Sequence, residues 1–243
     1  MMGDDLGADA LSKIAEAGIK SQLEQVEEVE VDIDANPLQV ASGEVDAVEI
    51  KGKGMEMQDG LRMEEMHLQT NKVDLDVMST MFGDVKLEQP TQATAKVVLT
   101  EQDINRAFNS DFIKAKMQGL PISVDGEPAK ADVQRVDFEL QDNEKIGLTA
   151  QVLVNGAEET VAFTATPTIS ADHHQVLLEN VEYGAGGECS PELTEALLKQ
   201  SSALLDLRNF ELESMRLKLN KLLVAAKTMT LMATAQVTAF PSE

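Results

Sequence analysis

VDAVEIKGKGMEMQDGLRMEEMHLQTNKVDLDV occupies residues 45–77 and alternates apolar and polar residues over most of its length. The apolar positions on either side of its one clear turn are Val48, Ile50, Met55, Met57, Leu61, Met63, Met66, Leu68, Val73, Leu75 and Val77. A period of two is typical of strands with one buried face and one solvated face. Ordinary strands have about 5–6 residues, so this longer run predicts an extended antiparallel sheet that curls and can enclose something.

The composition permits a real core but supplies few large, rigid side chains to fill it. Of the 243 residues, 43% are hydrophobic, only 3% are aromatic, and 12 are methionine. Aromatic side chains usually dominate rigid cores, whereas methionine is flexible and fills irregular space. Two interpretations follow: compositional drift, or a cavity wall that must fit a flexible apolar ligand.

The net charge of −23 excludes nucleic acid as a natural partner, because phosphate binding needs clustered lysine and arginine. Cys189 is the single cysteine, so the chain cannot form an internal disulfide. The N-terminus is acidic and lacks the apolar stretch of a secretory signal, and no run of about 18 apolar residues is present. We therefore expect a cytoplasmic, soluble protein without a signal peptide or transmembrane helix, with a peripheral membrane role left open.

Three amphipathic helices are predicted among the strands. The first covers about residues 8–26 and the second about residues 101–117, where Thr100 is a suitable N-cap and Asp103 suits the first turn. The third follows Ser190 and has Pro191 at its first position. The pattern predicts one α+β domain over residues 1–243, in which a long, strongly twisted antiparallel sheet wraps around about three apolar helices.

Strands and turns fill the sequence between these helices. The predicted turns lie at residues 58–60, 141–143, 155–156 and 171–173, with Asn155-Gly156 the clearest hairpin signal, and a short helical turn is expected at 78–82. The predicted strands are residues 29–34, 44–57, 61–77, 85–99, 122–124, 133–140, 146–154, 161–169, 176–183, 210–224 and 229–240.

Motifs for catalysis or metal binding are weak. Gly52-Lys53-Gly54 lacks the rest of a phosphate-binding loop and is interpreted as a strand kink or bulge. Residues 32–36 begin like a calcium loop, but Pro37 stands where that loop needs glycine, so a strand end and turn is the better interpretation. His67 is expected to face solvent, and His173 and His174 to lie in a solvated turn. The sequence therefore predicts no enzyme, no metal site and no cofactor.

One segment is basic within this acidic chain. Between Glu213 and Glu243 there is no acidic residue, but there are four basic ones: Arg216, Lys218, Lys221 and Lys227. They are interpreted either as the solvated face of a strand pair or as a cationic rim that faces lipid headgroups, where each basic residue contributes about 1 kcal/mol.

Three long segments resemble the LmeA-like phospholipid-binding family, which has many bacterial members. They are GEVDAVEIKGKGMEMQDGLRMEEMHLQTNKVDLDV, LTEQDINRAFNSDFIKAKMQGL and SPELTEALLKQSSALLDLRNFELESMRLKLNKLLVAAKTMTLMATAQV. With the strands between them they cover nearly the whole chain. The resemblance implies a relationship to tubular lipid-binding proteins, in which a long twisted sheet wraps a helix and encloses an apolar tunnel.

Together these observations predict a non-catalytic carrier or sensor that holds phospholipid or other acyl chains in an apolar tunnel between sheet and helices. The expected lining is Met55, Met57, Met63, Ile104, Phe108, Phe112, Leu193 and Leu197. The expected partners are a lipid and, transiently, a membrane, and the oligomeric state stays open. Two alternatives remain: a fully packed acidic scaffold that recruits a basic partner, and, with least support, an enzyme acting on lipids.

Overall fold

Antiparallel β-strands form most of the structure, a computed structural model that describes residues 6–57, 60–76, 87–124, 127–183, 191–206, 208 and 215–238. The strands are β1 Glu28–Asp34, β2 Glu44–Val45, β3 Ala47–Glu56, β4 Arg62–Thr70, β5 Val73–Asp74, β6 Thr91–Thr100, β7 Leu120–Val124, β8 Glu127–Leu140, β9 Ile146–Val154, β10 Ala157–Ile169, β11 Val176–Tyr183, β12 Met215–Ala225 and β13 Thr228–Val237. Most lie within a few residues of the predicted strands, although β8 and β10 begin earlier than the alternation indicated.

The strands form two large sheets and a short ribbon. One sheet has six strands in the order β1-β3-β4-β6-β13-β12, the other has five in the order β11-β10-β9-β8-β7, and β2 pairs with β5. Every pairing between these strands is antiparallel, and the sheet curls into a half-barrel. The predicted α+β class with a curled antiparallel sheet is confirmed. Its strands are divided between two sheets rather than joined in one.

Five helical segments lie in the described ranges: α1 Leu6–Gln22, α2 Pro37–Ser42, α3 Glu101–Phe108, α4 Asp111–Lys116 and α5 Pro191–Leu204. The predicted helix 8–26 is wrong at its end. α1 ends at Gln22, because β1 begins at Glu28 and the residues between them form the connection. The single helix predicted over 101–117 is also wrong. It is broken at Asn109, and α4 restarts with Ser110 as its N-cap. The short helix α2 was not predicted, although the turn before it was.

The predicted N-cap Thr100 is confirmed, and Asp103 of the first turn makes the cap reciprocal. The backbone N–H of Asp103 donates to Thr100 Oγ1 at 3.1 Å, and the backbone N–H of Thr100 donates to Asp103 Oδ2 at 3.1 Å. Both groups would otherwise lack an intrahelical partner. The cap sets the residue at which β6 ends and α3 begins.

One predicted turn and one predicted kink are confirmed by backbone conformation. Asn155 and Gly156 have φ of 50° and 85°, the left-handed pair that a two-residue hairpin requires. Gly54 has φ of 56°, which agrees with the kink predicted at that glycine pair. Parts of the predicted turn 58–60 and strands 85–99 and 210–224, all of the helical turn 78–82, and both Cys189 and Ser190 lie outside the described residues.

Apolar side chains collect in two clusters. The larger cluster packs the alternating inward residues of the five-stranded sheet, such as Val133, Leu148 and Val161, against α5 and part of α3. The smaller cluster joins Val29, Val31 and Met55 to the apolar stripe of α1. The two clusters leave α3 between the sheets.

Side chains of α3 and of the residue after it take the place of a strand beside β8. β7 pairs only with Glu127–Ala131, so the edge of β8 beyond it has no neighbouring strand in the part of the chain that the structure describes. There the amide of Asn105 accepts from Phe138 N at 2.7 Å and donates to Phe138 O at 2.9 Å. Asn109 makes the same two hydrogen bonds with Val136, at 3.2 and 2.6 Å.

Matching repeats make this arrangement possible. Glu101, Asn105 and Asn109 recur every four residues, and Leu140 N donates to Glu101 Oε2 at 2.8 Å. Four residues of helix rise about 6 Å, and two residues of strand about 6.8 Å. Each step of four helical residues therefore reaches the next peptide of β8 whose N–H and C=O point toward α3.

The two sheets are also joined directly at the hairpin β12–β13. Leu219 N donates to His173 O at 2.8 Å, and His173 Nδ1 lies 2.7 Å from Leu219 O. At the other end of the hairpin, Lys227 N donates to Leu140 O at 3.2 Å. His173 therefore lies in the predicted turn, but it binds β12 as well as meeting solvent.

We expect Asn105→Ala to lower the free energy of unfolding by about 2–3 kcal/mol, because the N–H and C=O of Phe138 both lose their partner. Chemical denaturation monitored by circular dichroism measures the change. Gln102→Ala is the matched control, since Gln102 is exposed on the same helix, and it should change stability by less than about 0.5 kcal/mol. Equal losses in the two variants would contradict the role given to Asn105.

Candidate functional site: an apolar cleft between the sheets

An apolar cleft of about 380 Å³ opens where the two sheets meet α3 and α4. Its walls come from segments that are far apart in sequence. The lining residues are Met57, Leu61, Arg62, Leu99, Asp103, Ile104, Ala107, Phe108, Ser110, Phe112, Ile113, Lys116, Phe138, Ile146, Pro167, Val176, Leu178, Leu204, Leu205, Met229 and Leu231.

Strand alternation supplies two walls of the cleft. Leu99 of β6 pairs with Met229 of β13, and both side chains point to the interior together with Leu231. On the opposite side, Phe138 contributes its ring, which lies 4.5 Å from that of Phe108 at an angle of 54°. This tilted pair is a favourable aromatic geometry, so one wall is rigid while the wall with Met229 can adapt.

Arg62 is a largely buried cation of the cleft wall and is engaged by three acids. Its guanidinium lies 2.7 Å from Glu64, 3.1 Å from Asp103 and 2.9 Å from Glu27. The hydrogen bond to Glu64 is the main cause that raises the pKa of Arg62, and those to Asp103 and Glu27 add to it, whereas burial opposes it. Arg62 therefore stays charged, and its charge is already balanced before any ligand arrives.

Exposed apolar side chains and a lysine mark the mouth of the cleft. Phe112 of α4 is 48% exposed and Met57, which follows β3, is 44% exposed, although both line the cavity. Lys116 Nζ lies 4.6 Å from the centre of the Phe112 ring, a cation–π contact. No carboxylate of the described residues forms an ion pair with Lys116, so this charge can meet a ligand.

The structure brings together four of the eight residues expected to line a lipid site. Met57, Ile104, Phe108 and Phe112 all border the cleft. The other four lie elsewhere. Met55 and Met63 pack beside α1, and Leu193 and Leu197 of α5 are buried in the larger apolar cluster.

Sequence reasoning missed most of the strand side of the cleft. Leu99, Phe138 and Met229 are apolar residues in phase with the alternation of their strands, and that phase is the signal that could have identified them. The pattern alone could not show that three distant strands meet at one place.

The basic residues singled out in the sequence lie away from the cleft. Arg216, Lys218 and Lys221 are exposed on β12, and Lys227 is in the turn between β12 and β13. His67 is partly exposed and lies 2.5 Å from Glu49, which agrees with its expected solvated position. Among the described residues, no group of histidine, cysteine and carboxylate side chains has the arrangement of a metal site.

Two antiparallel sheets around an apolar, partly open cleft define a class of protein suited to binding an apolar ligand. The chain belongs to the LmeA-like phospholipid-binding family, whose sequence model matches residues 2–234. Comparison with curated proteins and with solved structures gave no match. Family membership makes phospholipid the expected type of ligand.

None of the helices in the described ranges combines the length and the apolar character needed to cross a membrane.

We expect Arg62→Met to destabilise the fold by about 2–3 kcal/mol, because it leaves the nearly buried carboxylate of Asp103 without its cation. Glu27→Gln is the matched control. It removes a partner that is 68% exposed and should cost about 0–1 kcal/mol. Thermal or denaturant unfolding of both variants measures the difference, and a control as damaging as Arg62→Met would contradict this assignment.

Proposed function

We propose that this protein is a non-catalytic lipid carrier or sensor that acts as a single domain and encloses an acyl chain in the apolar cleft. The observation that carries the proposal is the cleft itself, in which the strand residues Leu99, Phe138 and Met229 face Ile104 and Phe108 of α3. The side chains offer shape and apolar surface, which is what an acyl chain can use.

The cleft volume favours this function over a fully packed scaffold. Ligand sites usually have about 300–1,000 Å³, and the cleft of about 380 Å³ lies at the small end of that range. We therefore propose that an acyl chain is enclosed while the headgroup stays at the mouth. A scaffold with a closed core would have no use for such a space.

The energetics suit exchange with a membrane. Burying one methylene is worth about 0.8 kcal/mol, so a chain of about fifteen gains on the order of 12 kcal/mol relative to water. A bilayer gives nearly the same gain. Transfer between the bilayer and the cleft is therefore nearly balanced, as a carrier or a sensor requires.

Lys116 is the group best placed to meet a lipid phosphate. Arg62 is deeper, but its charge is balanced by Glu64, Asp103 and Glu27. Lys116 lies at the mouth beside the exposed ring of Phe112 and has no acidic partner among the described residues. We propose that a headgroup phosphate binds Lys116 while the acyl chain passes Phe112.

The first test fills the cleft. Ala107→Phe should reduce uptake of fluorescent phosphatidylcholine by tenfold or more, because the new ring occupies the space of the acyl chain. Gln102→Phe places the same ring on the exposed side of α3 and should leave uptake unchanged. Both variants should keep the native circular dichroism spectrum. Normal uptake by a folded Ala107→Phe protein would refute the cleft as the lipid site.

The second test addresses the headgroup. Lys116→Glu should weaken the binding of phospholipid by about tenfold, since a favourable charge contact becomes repulsive. Lys114→Glu makes the same change in net charge on the same helix and should have a smaller effect, because Lys114 does not line the cleft. Titration of each protein with a short-chain phospholipid measures the affinities. Equal weakening by both variants would point to net charge rather than to contact at Lys116.

A further inference from the structure

The outer surface of β6, β13 and β12 is free of acid. None of these three strands contains an aspartate or a glutamate, although the chain has 43 acidic residues among 243. We infer that this surface, the basic face, docks the protein on an anionic lipid bilayer.

Strand register assembles the basic face from four rows that cross the three strands. The rows are Gln92–Gln236–Arg216, Thr94–Thr234–Lys218, Lys96–Met232–Lys221 and Val98–Thr230–Leu223. All of these side chains are exposed or partly exposed. A β-bulge between Leu219 and Lys221 keeps both Lys218 and Lys221 on this side. The face therefore combines four cations, neutral polar groups and a few apolar side chains.

The cations of β12 differ from the lysines at the other end of the same sheet. On β3, Lys51 lies 2.8 Å from Glu49, and Lys53 lies 2.8 Å from Glu28. No carboxylate in the described ranges forms an ion pair with Arg216, Lys218 or Lys221, and Lys96 has only a 3.8 Å contact with Glu65 at the border of the face. The charges of β12 are thus available to an external anion.

Apolar side chains lie among these cations. Leu223 is 39% exposed, and Val98 and Met232 are partly exposed in the neighbouring rows. Basic residues together with interspersed apolar side chains suit the headgroup region of a membrane, where charge and apolar burial both contribute. An acidic protein partner would also bind the cations, but it would gain less binding energy from burying scattered apolar side chains.

The position of the basic face links docking to the cleft. β6 and β13 direct Leu99, Met229 and Leu231 into the cleft, while their alternate residues form the basic face. Docking would hold the cleft one sheet thickness from the bilayer that supplies its lipid. The choice of a bilayer as partner rests on the proposed lipid-binding function.

The acidic remainder of the protein would set the orientation. With a net charge of −23, most of the surface is repelled by an anionic membrane. At physiological ionic strength charges are screened beyond about 8 Å, so the distant acids matter little once the basic face is in contact. The basic face, whose strands carry no acid, can therefore approach closely.

The test is co-sedimentation of the full chain with vesicles of phosphatidylcholine, with and without phosphatidylserine. The wild-type protein should bind only the vesicles that contain phosphatidylserine and should be released at high salt. Each cation contributes about fivefold to such binding, so the combined variant Arg216→Gln, Lys218→Gln and Lys221→Gln should bind about a hundredfold more weakly. The matched control, Lys51→Gln with Lys53→Gln, should bind like wild type because these lysines are already paired.

Lipid content, measured by mass spectrometry after solvent extraction, separates docking from cargo binding. The β12 variant should retain its bound lipid while losing vesicle binding. If wild type docks normally but carries no lipid, the proposed cleft function fails and the docking surface stands. Unchanged vesicle binding by the β12 variant would overturn the inference. Self-association of that variant would then indicate that the charges only protect the exposed edge of the sheet. Wild-type binding to polyglutamate but not to vesicles would also overturn it in favour of an acidic protein partner.

Discussion

The position of α3 depends on hydrogen bonds that its side chains make to the free edge of β8. A strand edge buried without partners is costly, and an asparagine amide supplies the same donor and acceptor as a peptide. Asn105 and Asn109 therefore complete the five-stranded sheet where β7 ends. The Asp103–Arg62 ion pair connects the same helix to the six-stranded sheet. Because α3 is fixed to both sheets by bonds of defined length, Ile104 and Phe108 are held facing the cleft instead of collapsing into it.

Local patterns in the sequence predicted the kind of structure better than its assembly. Alternation identified the strands, and Thr100 with Asp103 marked the start of α3, because both signals depend only on neighbouring residues. The break at Asn109 was missed because the apolar stripe continues through it. The side chain of Asn109 is instead bonded to Val136, which is distant in sequence. Periodicity likewise cannot separate a cleft from a core. Leu197 and Phe108 both lie on predicted apolar stripes, yet only Phe108 borders the open space.

The cleft and the basic face use charge differently. Within the cleft Arg62 is neutralised by acids, so enclosure of a chain depends mainly on apolar contact and should respond little to salt. On the outer side of β6, β13 and β12, the three cations of β12 have no such partners among the described residues, so contact with an anionic surface should respond strongly to salt. The proposed binding of a lipid and the proposed docking on its source would thus be controlled by different physical forces. One sheet would serve both because its two faces carry different residues.

The bulge in β12 decides which residues of that strand face inward and which face outward. Before the bulge, Leu217 and Leu219 face inward, and after it Leu222 and Val224 do so, because the extra residue Asn220 resets the alternation. If Asn220 were instead paired as an ordinary strand residue, the alternation would run on through it, turning Leu223 inward and moving the buried Val224 into water. Point substitutions at Asn220 keep the strand length and so preserve both faces. Deletion of Asn220 would preserve them too, because it removes the bulge and leaves Leu219 inward and Lys221 outward as successive positions. The conformation at Asn220, not the number of residues, therefore decides which face each later residue of β12 occupies.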